Sequence, residues 1–302
     1  MSAPAVDCVI PTHGRPDYLR EALGSVLAQT CPPASVTVVS DDADPGSRRV
    51  VAELAAGSPT TDVAFVHRDT GAPGASASRN RGAERGVAPV LAFLDDDDTW
   101  EPGYLERALA RLTDDRVDVV VTAVQRFSAA GPGVVKVPVA GLDPRGAFRR
   151  HPGATGSNIV LTRGAFDAVG GFDPALPVQN DRDFFLRLLL QGCTYAVEEQ
   201  ALVGVRQHGD GRLTDGTARR ADGILLLDAK HGPRFGWWDR RPVRYASHYT
   251  RMSAAGSRSA FARSALAALS NWSPTAGRDL PLDLLRGDRV RKLLREMVSG
   301  SW

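Results

Sequence analysis

Short apolar runs alternate with amphipathic stretches over the first 125 residues. Val6–Ile10, Val36–Val39, Val63–Val66, Val90–Leu94 and Val117–Val124 read as five strands. Between the first two, Tyr18, Ala22 and Val26 recur every four residues, as do Leu19, Leu23 and Leu27. That spacing predicts a helix with one broad apolar face. Weaker helical patterns cover Arg48–Ala56, Ala75–Arg85 and Gly103–Leu112. Strands alternating with helices predict an α/β fold whose mostly parallel sheet is flanked by helices. Ligands of such sheets sit beyond the carboxyl ends of the strands, so the residues just past each run carry most weight. There the chain reads Pro11-Thr12-His13-Gly14-Arg15, then Ser40-Asp41-Asp42-Ala43-Asp44, then Asp95-Asp96-Asp97-Asp98. The topology predicts that these three polar clusters converge on one edge.

The pattern changes after residue 128. Residues 129–150 read as irregular, with a turn at Gly131-Pro132-Gly133. Residues 151–216 hold a loop, a strand at Asn158–Leu161, a helix starting at Arg163 and a strongly apolar helix from Asp181. From Thr217 the pattern is helical, broken at Gly232-Pro233 and Ser273-Pro274. This predicts three stretches, 1–128, 129–216 and 217–302, the last a helical C-terminal extension. No internal repeat is present.

Composition narrows the class. With 302 residues, 43% hydrophobic and 24% charged, the chain is no disulfide miniprotein, collagen or disordered polymer. It has no run of roughly 18 apolar residues, so no spanning helix is expected. Its first residues lack the basic start and apolar stretch of a secretory signal. Cys8, Cys31 and Cys193 show no metal-like spacing and read as reduced thiols of a cytoplasmic protein. The net charge of +2 hides an asymmetry: residues 217–302 carry 16 basic and 7 acidic side chains, against 21 and 28 elsewhere. Such a tail fits a solvated arginine-rich helical surface, or one that covers an acidic site, an anionic ligand or a membrane. Leu284–Val298, with Arg289, Lys292 and Arg295, is amphipathic and reads as a partner-packing helix, which makes a homodimer through the extension an option and membrane contact the lesser one. A nucleic-acid partner is not expected, since the basic residues are not interleaved with an aromatic motif. Trp237-Trp238 fits either packing of the tail or stacking on a sugar.

Two features carry chemistry. Four carboxylates in succession, Asp95 to Asp98, follow the apolar run Leu91-Ala92-Phe93-Leu94. Buried at a strand end they repel one another. A divalent cation relieves that, and hard oxygen ligands suit Mg²⁺ or Mn²⁺, with phosphate oxygens completing the coordination. The alternative is a solvated acidic turn before the helix near Glu101-Pro102. The second feature is Asn180-Asp181-Arg182-Asp183 at the head of an apolar helix. Asn180 can cap that helix, and Asp183 can complete a capping box and pair with Arg187. Asp181 is left for a pocket, where its use is as a general base. An ordinary first-turn Asp, favoured by the helix dipole, is the alternative.

Taken together, ordered motifs over roughly residues 5–215 resemble the GT-A-fold glycosyltransferases of the family-2 type. They are Val9-Ile10-Pro11-Thr12-His13-Gly14-Arg15, Ser25-Val26-Leu27-Ala28-Gln29-Thr30, Val38-Val39-Ser40-Asp41-Asp42, Ala77-Ser78-Arg79-Asn80-Arg81-Gly82, Phe93-Leu94-Asp95-Asp96-Asp97-Asp98 and Val169-Gly170-Gly171-Phe172-Asp173, closed by Asn180-Asp181. The resemblance implies a Rossmann-like GT-A sheet, a nucleotide-sugar donor held through a divalent metal, and transfer with inversion. It implies that 1–128 is the donor half and 129–216 the acceptor and catalytic-base half. Thr12 and Asp42 would contact the nucleobase, with Pro11 and Arg15 shaping that loop and Arg79 near the nucleotide. Asp95–Asp97 matches the DXD-type motif, with Asp97 as metal ligand and Asp95 or Asp96 toward the ribose. Asp181 matches the base, and His208 a late histidine that helps hold the metal or diphosphate. The chain departs from the family's usual pattern at His13-Gly14 (often Tyr-Asn), at Asn180 (often Glu) and at Asp-Asp-Ala-Asp (more usually Asp-Asp-Gly-Ser).

The implied activity is a metal-dependent, inverting transfer of a sugar to a hydroxyl or amine of a small natural product or cell-surface glycan precursor. UDP- or dTDP-sugars are favoured, since Asp42 suits a uracil-like imide. A nucleotidyltransferase on a related sheet would need a glycine-rich basic loop after the first strand, which Pro-Thr-His-Gly-Arg does not supply. A non-catalytic nucleotide-sugar binder would have lost Asp181 or the acidic run, and both are present.

Overall fold

A computed structural model describes residues 4–69, 74–207 and 218–272. The five predicted strands are present as β1 (Val6–Thr12), β2 (Ser35–Ser40), β3 (Asp62–His67), β4 (Val90–Phe93) and β6 (Val119–Ser128). Helices α1 (Pro16–Leu27), α2 (Pro45–Ala56), α3 (Ala75–Ala83) and α4 (Tyr104–Asp114) lie between them. A two-residue strand, β5 (Thr99–Trp100), follows the acidic run. The later elements are β7 (Gly131–Lys136), α5 (Pro144–Arg149), β8 (Ile159–Thr162), α6 (Arg163–Val169), α7 (Asn180–Leu190) and β9 (Tyr195–Arg206), then α8 (Ala218–His231), α9 (Trp237–Ser253) and α10 (Arg258–Ser270).

Among the described residues one sheet runs in the order β3-β2-β1-β4-β8-β6-β9-β5, with β7 paired to β6. The pairs β3/β2, β2/β1, β1/β4 and β6/β9 are parallel, while β8 runs antiparallel to both β4 and β6. The mixed, mostly parallel sheet with flanking helices is the α/β fold the apolar pattern predicts. Strands β1, β2 and β4 are buried along their whole length, which is why they read as continuous apolar runs rather than alternating ones. The α1 face made by Leu19, Ala22, Leu23 and Val26 is fully buried against them.

Residues 129–150 are not irregular. Gly131–Lys136 hairpins back onto β6 through a bulge between Gln125 and Phe127, and Asp143 caps α5 by accepting the Gly146 N–H at 2.6 Å. The hairpin was illegible because Gly131–Lys136 is mostly exposed on both faces, so it carries no apolar alternation. Strand β9 was hidden for another reason. Its ladder with β6 jumps from Glu198 to Ala201, so exposed Glu199-Gln200 bulge out and break the apolar period.

The described residues form two compact units. Residues 4–142 and 152–207 make one, and 143–151 with 218–272 make the other. Within the second, Phe148 stacks on Phe235 at 4.5 Å, and Asp228 receives Arg240 at 2.9 Å and Arg244 at 2.8 Å. The helix over 284–298 lies outside the described residues.

At the amino end of β1, Asp7 ties the first unit together. Its buried carboxylate accepts from Ser35 Oγ (2.6 Å), the Ala88 N–H (2.7 Å) and Arg163 Nη2 (2.8 Å). Truncating it would strand a partly buried guanidinium and a buried N–H. Asp7→Ala is therefore expected to cost about 2–4 kcal/mol in chemical denaturation, with nucleotide binding by the folded protein unchanged.

Candidate active site

The acidic run leaves the carboxyl end of β4 and meets the loop that follows β1. Thr12 Oγ1 donates to Asp96 Oδ2 at 2.8 Å, and the His13 N–H adds a 3.4 Å contact. Arg15 Nη1 donates to Asp97 Oδ2 at 3.1 Å and lies 3.6 Å from Asp96. Arg79, from α3, ion-pairs with Asp95, and its guanidinium sits 5.0 Å over the Phe172 ring. Its Nε and Nη1 are buried with no partner among the described residues. Asp98 turns inward, accepting from Ser157 Oγ at 2.7 Å and from the Arg206 N–H at 3.0 Å. Thus Thr12, Arg15, Arg79, Asp95, Asp96 and Asp97 come together, and Pro11 supports them as a buried rung opposite Val39.

The electrostatics follow from burial. Burial pushes the Asp96 carboxyl up to about 6, Arg15 and Thr12 working against it and Asp97 and Asp95 with it. Burial, then the charges of Asp97 and Asp95, raise Asp98 well above the carboxylate range. Asp95 and Asp97 are the more open members, with 35% and 15% of their side chains exposed. A hard divalent cation would suit carboxylate oxygens of this kind, because its positive charge favours the ionised forms that burial disfavours.

Beside the run lies a second cluster. His13 Nδ1 is 2.7 Å from Asp41 Oδ1, and Asp41 Oδ2 accepts the Gly74 N–H at 2.8 Å. The bond to Asp41 holds the His13 pKa above its ordinary value. Burial works to raise Asp41, but the bonds from His13 and Gly74 outweigh it and hold its carboxyl low. Asp42 is more open, and its Oδ1 accepts from Ser40 Oγ at 2.6 Å. His13, Asp41 and Asp42 place ligand atoms within 4.8 Å of one another. Gly14, φ +62°, makes the turn that folds His13 onto these carboxylates. A left-handed residue there favours glycine or asparagine.

Asp181 stands in the first turn of α7, where its Oδ1 accepts the Arg182 N–H at 2.7 Å. The expected cap differs: Asn180 is already helical, and Gln179, left-handed at φ +66°, is the cap residue, with no side-chain capping bond. The Asp183–Arg187 pair is present at 2.8 Å, and Arg187 Nη1 also donates to the Val169 carbonyl. One turn after Asp181, Phe184 stacks on Phe172 at 4.1 Å, and Phe172 is the ring beneath Arg79. The Asn80 side chain grips both the N–H and the carbonyl of Phe172 at 2.8 Å. The Gly-Gly-Phe motif thus ties the helix of Asp181 to the strand end that bears the acidic run. His208 lies outside the described residues.

Gly171 shows how tight that link is. Its φ is +74°, and a Cβ there would fall 2.5 Å from Asn80 Oδ1. Gly171→Ala is expected to destabilise by about 2–4 kcal/mol and to loosen Arg79, read by thermal melts and by weaker nucleotide binding.

Sequence reasoning missed Ser157, Arg206 and Asp41. Ser157 precedes β8, and only the antiparallel course of β8 puts that start at the carboxyl end of β4. There its Oγ also accepts the Asp95 N–H at 3.1 Å. Arg206 ends β9 with its guanidinium over Tyr18 and Phe127, and its Nε donates to the Asp97 carbonyl at 3.2 Å. The signal for Asp41 was present in Ser40-Asp41-Asp42, but spacing alone does not separate the two carboxylates.

Comparison with known proteins gives the family and the fold. Residues 7–170 match the family described as Glycosyl transferase family 2. A glucosyl-dolichyl phosphate glucuronosyltransferase of Haloferax volcanii is 32% identical over 179 residues, covering 56% of each chain. The chain therefore spans about half the length of that relative. Among solved structures, the mannosyltransferase PcManGT from Pyrobaculum calidifontis, in complex with GDP-Man and Mn²⁺, superposes with a TM-score of 0.64 at 18% identity, over 97% of this chain and 84% of that one. S. aureus TarS 1-349, in complex with UDP-GlcNAc, gives 0.60 at 13% identity, over 92% of each.

Proposed function

The chain belongs to glycosyl transferase family 2, and from that membership we propose that it transfers a sugar from a nucleoside-diphosphate donor, with inversion, to a hydroxyl or amine of an acceptor. The observation that carries the reading is the convergence of Asp95–Asp98 with Thr12, Arg15 and Arg79 at the carboxyl end of the central strands. The solved relatives hold nucleotide sugars, one of them with Mn²⁺, and this oxygen-rich site suits the same ligand class. Asp97 and Asp95 would hold the divalent ion, Mn²⁺ or Mg²⁺, which when bound supplies charge neutralisation for the departing diphosphate.

The chain's own residues do the rest. Arg15 and Arg79 orient the acidic run. Arg79, buried with two donor nitrogens unpartnered, also adds positive charge where a diphosphate would lie. The loop of His13, Asp41 and Asp42 reads the base, its carboxylates accepting a ring N–H, with UDP or dTDP as the nucleotides proposed. Asp181 takes the proton from the acceptor nucleophile as it attacks the sugar from the face opposite the leaving group. The reading extends to a cell-surface glycan precursor or to a lipid-linked acceptor, the latter being the kind that the Haloferax relative's name carries. The unpaired Cys8, Cys31 and Cys193 accord with a cytoplasmic setting.

Calorimetric titration of UDP, dTDP and GDP, with and without Mn²⁺, tests the donor site. Metal-dependent binding of one nucleotide supports it, and no binding by the folded protein refutes it. A pH dependence follows as well. Without metal, Asp96 titrates near 6 in the fold against 3.8 when unperturbed. The folded state therefore holds more protons in that window, and stability falls as pH rises through it. A cation favours the charged form. The rise in Tm on adding Mn²⁺ should thus be larger at pH 7 than at pH 5, and a pH-independent rise would contradict the site.

A further inference from the structure

The second unit carries an aromatic and cationic patch to which the proposed function assigns no role. Trp237 and Trp238 open α9 with 58% and 66% of their surfaces exposed, so they do not pack the tail onto a core. Their rings meet edge to face at 4.7 Å. One turn on, the Arg241 guanidinium lies over both, at 4.5 and 5.4 Å. Arg241 Nε donates to the Trp272 carbonyl at 3.1 Å, which brings a third exposed tryptophan to the same place from the end of α10. Leu269, three residues earlier, is also exposed. The contact between α9 and α10 is made by other residues, chiefly Tyr245, Met252, Phe261 and Ala268. Trp237 and Trp238 are not members of those packed clusters, and exposed aromatics of this kind mark an interaction surface.

Charge selects the occupant. Arg240 and Arg244 share the single carboxylate of Asp228, and Arg251 pairs with Asp222. Arg241 has no carboxylate partner among the described residues; its recorded contacts are the two indoles and a carbonyl. Residues 218–272 carry 10 basic side chains against 3 acidic ones. A surface of that sign repels a second copy of itself and attracts an anionic one. Indoles with an N–H edge, beside an arginine with an apolar stem, settle in the headgroup layer of a bilayer. No helix among the described residues is long and apolar enough to cross a membrane, and an exposed aromatic and cationic patch is suited to the surface layer.

We propose that the Trp237–Trp238–Arg241–Trp272 patch docks the protein on the headgroup layer of an anionic membrane. The inference rests on this surface alone and not on the donor reading.

Co-sedimentation of the full chain with vesicles tests it, using phosphatidylcholine alone and an equal mixture with phosphatidylglycerol. The expected result is binding at least about tenfold tighter to the mixture, released by high salt, with a blue shift of tryptophan emission. Trp237→Ala with Trp238→Ala, and separately Arg241→Glu, should each weaken binding by about tenfold or more while keeping the wild-type Tm and nucleotide affinity. Folded wild type that binds neither vesicle, or both equally, overturns the proposal. So do variants that bind like wild type, which would move the contact to other basic residues. A wild-type dimer that the tryptophan variant dissociates would make the occupant a second copy, and overturns it too.

Discussion

Replacing Asp181 by asparagine is expected to lower the turnover number by about 10³-fold, within the range a positioned general base contributes. Asparagine keeps the shape and can still accept the Arg182 N–H that Asp181 holds at 2.7 Å. The start of α7, its Phe184–Phe172 stack and its Asp183–Arg187 pair are untouched. Nucleotide affinity and Tm should therefore stay at wild-type values, and only the step that moves the acceptor proton should suffer. Single-turnover kinetics alongside calorimetry separates the two. A variant that keeps full transfer removes Asp181 from the chemistry. One that loses nucleotide binding makes it part of the donor site instead.

The second large effect belongs to Asp97. Asp97→Ala should weaken metal-dependent nucleotide binding by at least about 100-fold, since in the proposed site it would remove a charged oxygen ligand and not merely a group behind one. Its ion pair with Arg15 is part-exposed on the arginine side, so its loss should cost stability no more than about 1 kcal/mol. Titrating Mn²⁺ in the presence of nucleotide, and nucleotide without metal, distinguishes the outcomes. If the metal-free affinity is unchanged and the metal increment vanishes, Asp97 holds the ion. If the increment survives, Asp95 is the better ligand and Asp97 serves to orient Arg15. The Asp98 carboxyl is no substitute, because Ser157 and the Arg206 N–H already hold it inward.

Much of this was legible in the sequence, for physical reasons that can be named. A strand buried on both faces must be apolar along its length, so β1, β2 and β4 announced themselves. The end of such a strand is where polar groups can gather, so Pro11 to Arg15 and Asp95 to Asp98 stood out by position. Local rules also served where the interaction spans one helical turn, as for Asp183 with Arg187. They failed where the outcome rests on backbone geometry or on a partner far along the chain. Whether Asn180 or Gln179 caps α7 depended on a left-handed backbone at Gln179 that no side-chain pattern signals. The composition and order of motifs determined the fold class, the acidic centre and the family resemblance, because each is a property of consecutive residues. Only the tertiary structure decided which carboxylate of Asp95–Asp98 turns inward, that Ser157 and Arg206 hold it there, that Asp41 rather than Asp42 grips His13, and that Trp237 and Trp238 face outward. Those outcomes depend on the antiparallel course of β8, the bulge in β9 and the packing of α9 on α10. Each is set by contacts between segments that the chain itself keeps far apart.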